Sequence, residues 1–206
     1  MCGRYSLWES GQPDDFEKIV QILNRQYPSS EFKRAGEVFP TDAVPVLANS
    51  RQLHPRPFVM RWGYSLPGGR TVINARSETA ASSPLFADGM LHRRCLIPAA
   101  GYYEWARQPG GKVKYDLRGE GGLIYLAGVY RLEWRAEGIL PVFAVLTREA
   151  SPELSFLHDR MPVLFPPERS LAWLDPRCDV QELLHMAPIH LECHPAKPEN
   201  RADRAK

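Results

Sequence analysis

Between residues 43 and 147 the chain is a succession of short apolar stretches: "AVPVLA", "PFVMRW", "TVINA", "RCLIPA", "GYYEW", "KYDL", "LIYLAGVYRL" and "LPVFAVLT". Each is only a few residues long, rich in β-branched and aromatic side chains, and closed by Pro, Gly or polar residues, which is the signature of strands. No helical pattern separates most of them, so parallel crossovers are scarce and the series is α+β rather than βαβ. Helical spacing occurs at the ends. In "PDDFEKIVQILNRQY", Phe16, Ile19, Val20 and Leu23 fall at i, i+3, i+4 and i+7 behind Pro13 and two acids, which predicts an amphipathic helix. Weaker helical signals lie in "SPELSFLH", "PERSLAWL" and "DVQELLHM".

At 206 residues the length suits one domain over 1–206. The polar "HPAKPENRADRAK" predicts a loose tail from about residue 195. No apolar run is long enough to span a bilayer. Arg4, Glu9, Asp14 and Asp15 interrupt any signal-peptide pattern, so a cytoplasmic protein is expected. Four cysteines without a CxxC point to thiols rather than disulfides. The formal net charge of +2 identifies no partner, although most of the 26 basic residues are arginine, which suits bidentate phosphate contacts as well as it reflects codon usage.

No P-loop, GxGxxG or GxSxG is present, which removes the usual signatures of nucleotide hydrolysis and lipase chemistry and leaves no cofactor motif. His185, His190, Cys193 and His194 are too irregularly spaced for a zinc site, and "HMAPIHLECH" reads as a solvated terminal segment, so no metal is expected. Three other groupings could carry chemistry. "INARSET" puts Asn74, Arg76 and Glu78 just past a strand, as a site or as a capped strand-to-helix turn. In "PAAGYYEW", alternation sets Tyr102 and Glu104 on one face and Tyr103 and Trp105 on the other, so Glu104 is either a desolvated proton carrier or a surface carboxylate. His158 in "SFLHDRMPVLF" can serve as acid or base or be structural.

The start, "MCGRYS", bears on these. Cys2 is small enough for Met1 to be removed, which would leave an α-amine and a thiol on adjacent carbons. Taken in order, "MCGRY", "RWG", "INARSE", "RRCLIPAAGYYEW", "AGVY", "FAVLT" and "LHDRMPV" resemble the SOS-response-associated peptidase family of abasic-site processing proteins. The resemblance covers residue 2 to about Leu164. It implies a single α+β domain built on a curved mixed sheet or small barrel with helices outside. It also implies that Cys2 is a nucleophile assisted by Asn74, Glu104 and His158. Arg4, Arg76 and Arg160 would lie near phosphates, with Pro40 and Thr147 also at the DNA. The partner it implies is single-stranded DNA containing abasic sites, with no membrane and a monomeric chain. The chain departs from the family's pattern in "GEVFPTDAVPVL", which lacks an Asn before Pro40, and in the short "YSLPGGRTV" after Trp62.

The chemistry implied is a Schiff base between the Cys2 amine and the open abasic aldehyde, closed by the thiol into a thiazolidine. Two other classes compete: an N-terminal-nucleophile amidohydrolase with a layered sandwich fold, and a non-catalytic single-strand binder. Intact-mass measurement of the purified chain is expected to show Met1 lost; a chain that retains Met1 lacks the amine and thiol pair on which the covalent reading depends.

Overall fold

The structure, a computed structural model, describes residues 2–186 and 189–196. In chain order its strands are β1 Tyr5–Leu7, β2 Gly36–Val38, β3 Ala43–Asn49, β4 Pro55–Trp62, β5 Tyr64–Ser65, β6 Thr71–Val72, β7 Asn74–Arg76 and β8 Arg94–Ala99. There follow β9 Gly101–Gln108, β10 Gly111–Gly119, β11 Ile124–Arg135, β12 Gly138–Glu149, β13 Arg160–Pro162, β14 Leu164–Phe165 and β15 Leu191–Pro195. The α-helices are α1 Asp14–Gln26, α2 Ser77–Ala80, α3 Ala87–His92, α4 Pro167–Ser170 and α5 Val180–His185.

Five of these strands close a mixed barrel. β12 pairs in parallel with β4, β4 with β3, β3 with β8, β8 with β11, and β11 returns to β12, the last four pairings being antiparallel. β8 and the middle of β12 are buried on both faces, which is why "RCLIPA" and "VFAVLT" read as unbroken apolar runs instead of alternating ones. A second, wholly antiparallel sheet, ordered β15-β10-β9-β1-β2, packs on the barrel. Tyr5 from that sheet meets Trp62 of the barrel at 5.3 Å between ring centroids, and Trp62 stacks on Phe143. One apolar core runs through both sheets. This is the α+β domain with a small barrel core that the sequence predicts, and it is not the layered sandwich of an amidohydrolase.

Helix α1 buries Phe16, Ile19 and Leu23 and lies against β3 and β4. Its acids Asp14, Asp15 and Glu17 face the positive N-terminal end and Arg25 the other, as the helix dipole favours. Among the described residues no helix is long and apolar enough to cross a membrane.

Four segments depart from the sequence expectation. "TVINA" is not one strand: β6 pairs with β5 and β7 with β12, and the chain changes partner at Ile73, whose carbonyl accepts from Trp62 Nε1 at 3.0 Å and from the Val145 N–H at 2.9 Å. "SPELSFLH" holds only a 3₁₀ turn, Pro152–Leu154. The Ser155 hydroxyl bonds back to the Pro152 carbonyl, and β13 begins pairing with β12 five residues later. "PERSLAWL" divides into α4 and a 3₁₀ turn, Leu171–Trp173. The terminal segment read as solvated contains β15, which adds to β10 and turns Leu191 into the core. The expected tail falls mainly on 197–206, outside the described residues.

Gly128 in β11 shows how tightly the barrel is drawn. A Cβ there would stand 2.7 Å from Ile97 Cδ1 and 3.0 Å from both the Ala144 carbonyl oxygen and Cys95 Sγ. Gly128→Ala is expected to lower the unfolding free energy by about 1–3 kcal/mol through overpacking. A urea titration checks this: the midpoint should fall at unchanged slope.

Candidate active site

The site begins where β1 joins β9. Tyr5 pairs with Tyr102, and the Tyr103 N–H donates to the Arg4 carbonyl at 2.9 Å, so the N-terminal residues lie along β9 toward Glu104. Alternation along β9 turns Glu104 to the inner face, where it is 8% exposed, and Trp105 to the outer one. From the barrel, β7 runs parallel to β12 with Asn74 opposite Val145. Asn74 Nδ2 donates to the Cys2 carbonyl at 2.8 Å. Asn74 Oδ1 is buried and accepts no hydrogen bond among the described residues, an unspent acceptor beside the N-terminus.

Cys2 is 0% exposed. Burial, and next the Glu104 carboxylate, push its thiol up to about 12, while a long contact from Sγ to the Arg4 carbonyl, 3.9 Å, acts weakly the other way. The thiol is therefore protonated at neutral pH. Glu104 and His158 line one cavity of 550 Å³ together with Trp105, Phe156 and the cations Arg107 and Lys112. His158 Nδ1 accepts from the Arg160 N–H at 3.0 Å, which puts the proton of the neutral ring on Nε2, and the exposed Asp159 carboxylate also lies against Nδ1. Cys2, Asn74, Glu104 and His158, more than 150 residues apart in sequence, thus meet in one region.

The expected DNA contacts sit in three different states. Arg76 is exposed and makes no ion pair among the described residues. Arg160 grips both Glu78 oxygens at 2.8 Å and donates to the Thr147 carbonyl at 2.7 Å, and this fork holds the Glu78 carboxyl below its usual range. Arg4 lies 3.1 Å from Glu37, with its guanidinium over Phe39 at 4.0 Å and near Trp105 at 5.2 Å. Pro40, half-buried, follows Phe39 directly. Thr147 is 0% exposed and its hydroxyl donates to the Ala75 carbonyl at 3.4 Å, so its side chain offers nothing to a surface ligand.

Sequence reasoning missed Glu37 and Lys114. Glu37 bridges Arg4 and Lys114, and Lys114 lies over Tyr103 at 4.0 Å. Glu37 was hidden because it reaches Arg4 only through β2, a strand too short to read. Lys114 was findable: Pro109 and Gly110, the latter at φ 103°, form a two-residue turn that pairs Gln108 with Gly111 and hence Trp105 with Lys114. The four residues weighed as a zinc set are spread out. His185 Nδ1 lies 2.6 Å from the Gln181 carbonyl on α5, while Cys193 and His194 sit on β15 opposite Leu117 and Asp116.

The family described as SOS response associated peptidase (SRAP) matches residues 1–199 of this chain. Among curated relatives, Abasic site processing protein YoaM of Bacillus subtilis is 29% identical, covering 86% of this chain and 80% of its own. Abasic site processing protein YedK of Escherichia coli is 28% identical over 84% of this chain and 79% of its own. Among solved structures, a protein of Bacteroides thetaiotaomicron superposes with a TM-score of 0.77 at 18% identity, covering 95% of this chain and 92% of that one. A phage-related protein of Bordetella bronchiseptica superposes at 0.71 with 24% identity, covering 96% and 95%.

The coupling between Glu104 and the Cys2 thiol is directly measurable. Glu104→Gln removes the negative charge that helps raise the thiol, so the pH profile of Cys2 alkylation should move down by about 1 unit. Mass spectrometry of the iodoacetamide-treated N-terminal peptide reads this; an unmoved profile would show that the carboxylate does not act on the thiol.

Proposed function

The chain belongs to the SOS response associated peptidase (SRAP) family, and from that premise we propose that it captures abasic sites in single-stranded DNA covalently, as a thiazolidine on Cys2 exposed by removal of Met1. The observation that carries this reading is the pairing of Asn74 Nδ2 with the Cys2 carbonyl while Glu104 lies close enough to raise the Cys2 thiol. The relatives' names as abasic site processing proteins support the substrate class.

The chemistry uses the two groups of Cys2 in turn. An α-amine, with a reference pKa near 8, keeps a neutral fraction at pH 7 that adds to the aldehyde of the ring-opened sugar. Loss of water from that adduct leaves a Schiff base. The thiol then adds across C=N: a C–S bond forms and the thiol proton passes to nitrogen, closing a five-membered ring without oxidant or metal. Glu104 moves protons during dehydration and ring closure, its buried position suiting it to that exchange. Asn74 orients the N-terminal residue and offers its unspent Oδ1 to the amine or the sugar hydroxyl. His158, across the shared cavity from Glu104, stabilises the opened sugar and assists reversal.

Arg4 and Arg76 hold the flanking phosphates, and Arg160 joins them by exchanging Glu78 for a phosphate. Pro40 flanks this path. Thr147 supports it from beneath, by tying β7 to β12 through Ala75, not by touching the strand.

Single-stranded DNA bearing one abasic site, incubated with the processed protein, should give an adduct that survives denaturing electrophoresis, and intact DNA should give none. Cys2→Ala retains the amine and loses sulfur, so it should yield only a borohydride-trappable species, with the durable adduct reduced at least a hundredfold. An N-terminal tag should abolish both. A durable adduct formed equally by Cys2→Ala or by the tagged chain would overturn the thiazolidine reading and leave the non-catalytic binder in its place.

A further inference from the structure

Away from Cys2, the end of β3, the turn that follows it, α3 and the segment after α4 enclose two adjoining cavities of 290 and 460 Å³, which share Asn49, Leu53, Leu174 and Pro176. Neither shares a lining residue with the cavity of Glu104 and His158. Three features of this cleft are unexplained by folding alone.

The first is charge. Arg94, 9% exposed, donates to the carbonyls of Trp173 at 2.7 Å, Asp175 at 2.8 Å and Met90 at 3.3 Å, and contacts no carboxylate. Those bonds use three of its five N–H groups and leave one on each terminal nitrogen for a further acceptor. A buried cation is costly unless it is offset. Asp175 offsets it only in part, being shared with Arg177 at 2.7 Å, Asp88 is taken by Arg93, and the Trp173 ring lies 5.4 Å from the guanidinium, while Arg51 adds a further exposed cation with no ion pair among the described residues.

The second is an acceptor. Asn49 Nδ2 donates to the Leu174 carbonyl at 2.7 Å, but its Oδ1 is buried and accepts nothing among the described residues. It needs an N–H or O–H donor. A phosphodiester backbone has none to give; a peptide main chain has one at nearly every residue.

The third is a strained apolar rim. Leu53 stands at φ 59°, a conformation rare for a bulky side chain, fixed by the Ser50 turn through Leu53 N–H to the Ser50 carbonyl at 3.0 Å and Ser50 N–H to the His54 carbonyl at 2.8 Å. The strain holds the leucine in water, 59% exposed, alongside the exposed Leu91 and Leu171.

We propose that this cleft docks an extended acidic peptide segment of a partner protein, with a carboxylate on Arg94, a main-chain N–H on Asn49 and an apolar side chain against Leu53. Cation, acceptor and apolar rim together match such a segment and match no simple anion. Arg51 steers the acidic flank and makes the association salt-dependent.

Fluorescence polarisation with the full chain tests this, using a fluorescein-labelled heptapeptide Asp-Glu-Asp-Leu-Asp-Leu-Leu and its counterpart in which every carboxylate is an amide. The acidic peptide should bind, the amide peptide at least tenfold more weakly, and added salt should weaken the former alone. Arg51→Glu and Leu53→Gly should each weaken binding about tenfold. Their thermal unfolding should stay at or above the parent's, since Arg51 is exposed and glycine accepts the Leu53 backbone. Crosslinking to abasic DNA should be unchanged in both, which separates this proposal from the chemistry at Cys2. Equal binding of the two peptides, parental affinity in both variants, or displacement of the peptide by an undamaged single-stranded oligonucleotide would each overturn it; the last would make the cleft a nucleic-acid site.

Discussion

The arrangement rests on the backbone ladder of β12. Its first half closes the barrel, bonding to β11 on one side and β4 on the other. Its second half passes beyond both and takes a short strand on each edge: β7 in parallel where β4 ends, and β13 antiparallel where β11 ends, at Thr147, Arg148 and Glu149. Asn74 and Arg76 are therefore hung on one stretch of β12 and Arg160 on the next, while Glu104 and Cys2 arrive on the other sheet. Neither β7 nor β13, at three residues each, has independent stability. Their positions are borrowed from a strand whose middle is wholly buried.

Electrostatics in the candidate site follow a common pattern in which cations arrive with carboxylates in attendance. Glu37 stands between Arg4 and Lys114, and Glu78 occupies the fork of Arg160. These pairs are half-exposed, so each contributes little to stability. Their effect is on geometry: each carboxylate holds a long side chain in one place. Arg76 makes no such pair among the described residues.

Much of this was legible in the sequence, and the boundary has a physical basis. Strands β8, β11 and β12 announced themselves because much of each is buried on both faces, and α1 because its apolar residues keep a 3.6-residue period against β3 and β4. Tyr102 and Glu104 were assigned to one face by strand alternation alone, and the structure keeps them there. What failed were segments whose form is set by partners distant in sequence. Ile73 breaks its strand to receive Trp62 and Val145, and β15 exists because β10 has an edge to complete. The same limit applied to the site: residue types marked out Asn74, Glu104 and His158, but their meeting depends on pairings no local pattern encodes, and the burial of Thr147, which the family resemblance puts at the DNA, is not visible in the sequence.

The burial of Cys2 has a consequence for the life of the protein between encounters with its substrate. Oxidants and soft electrophiles attack thiolates in solvent-accessible positions. A thiol kept protonated and 0% exposed meets neither condition, which disfavours its oxidation by peroxide.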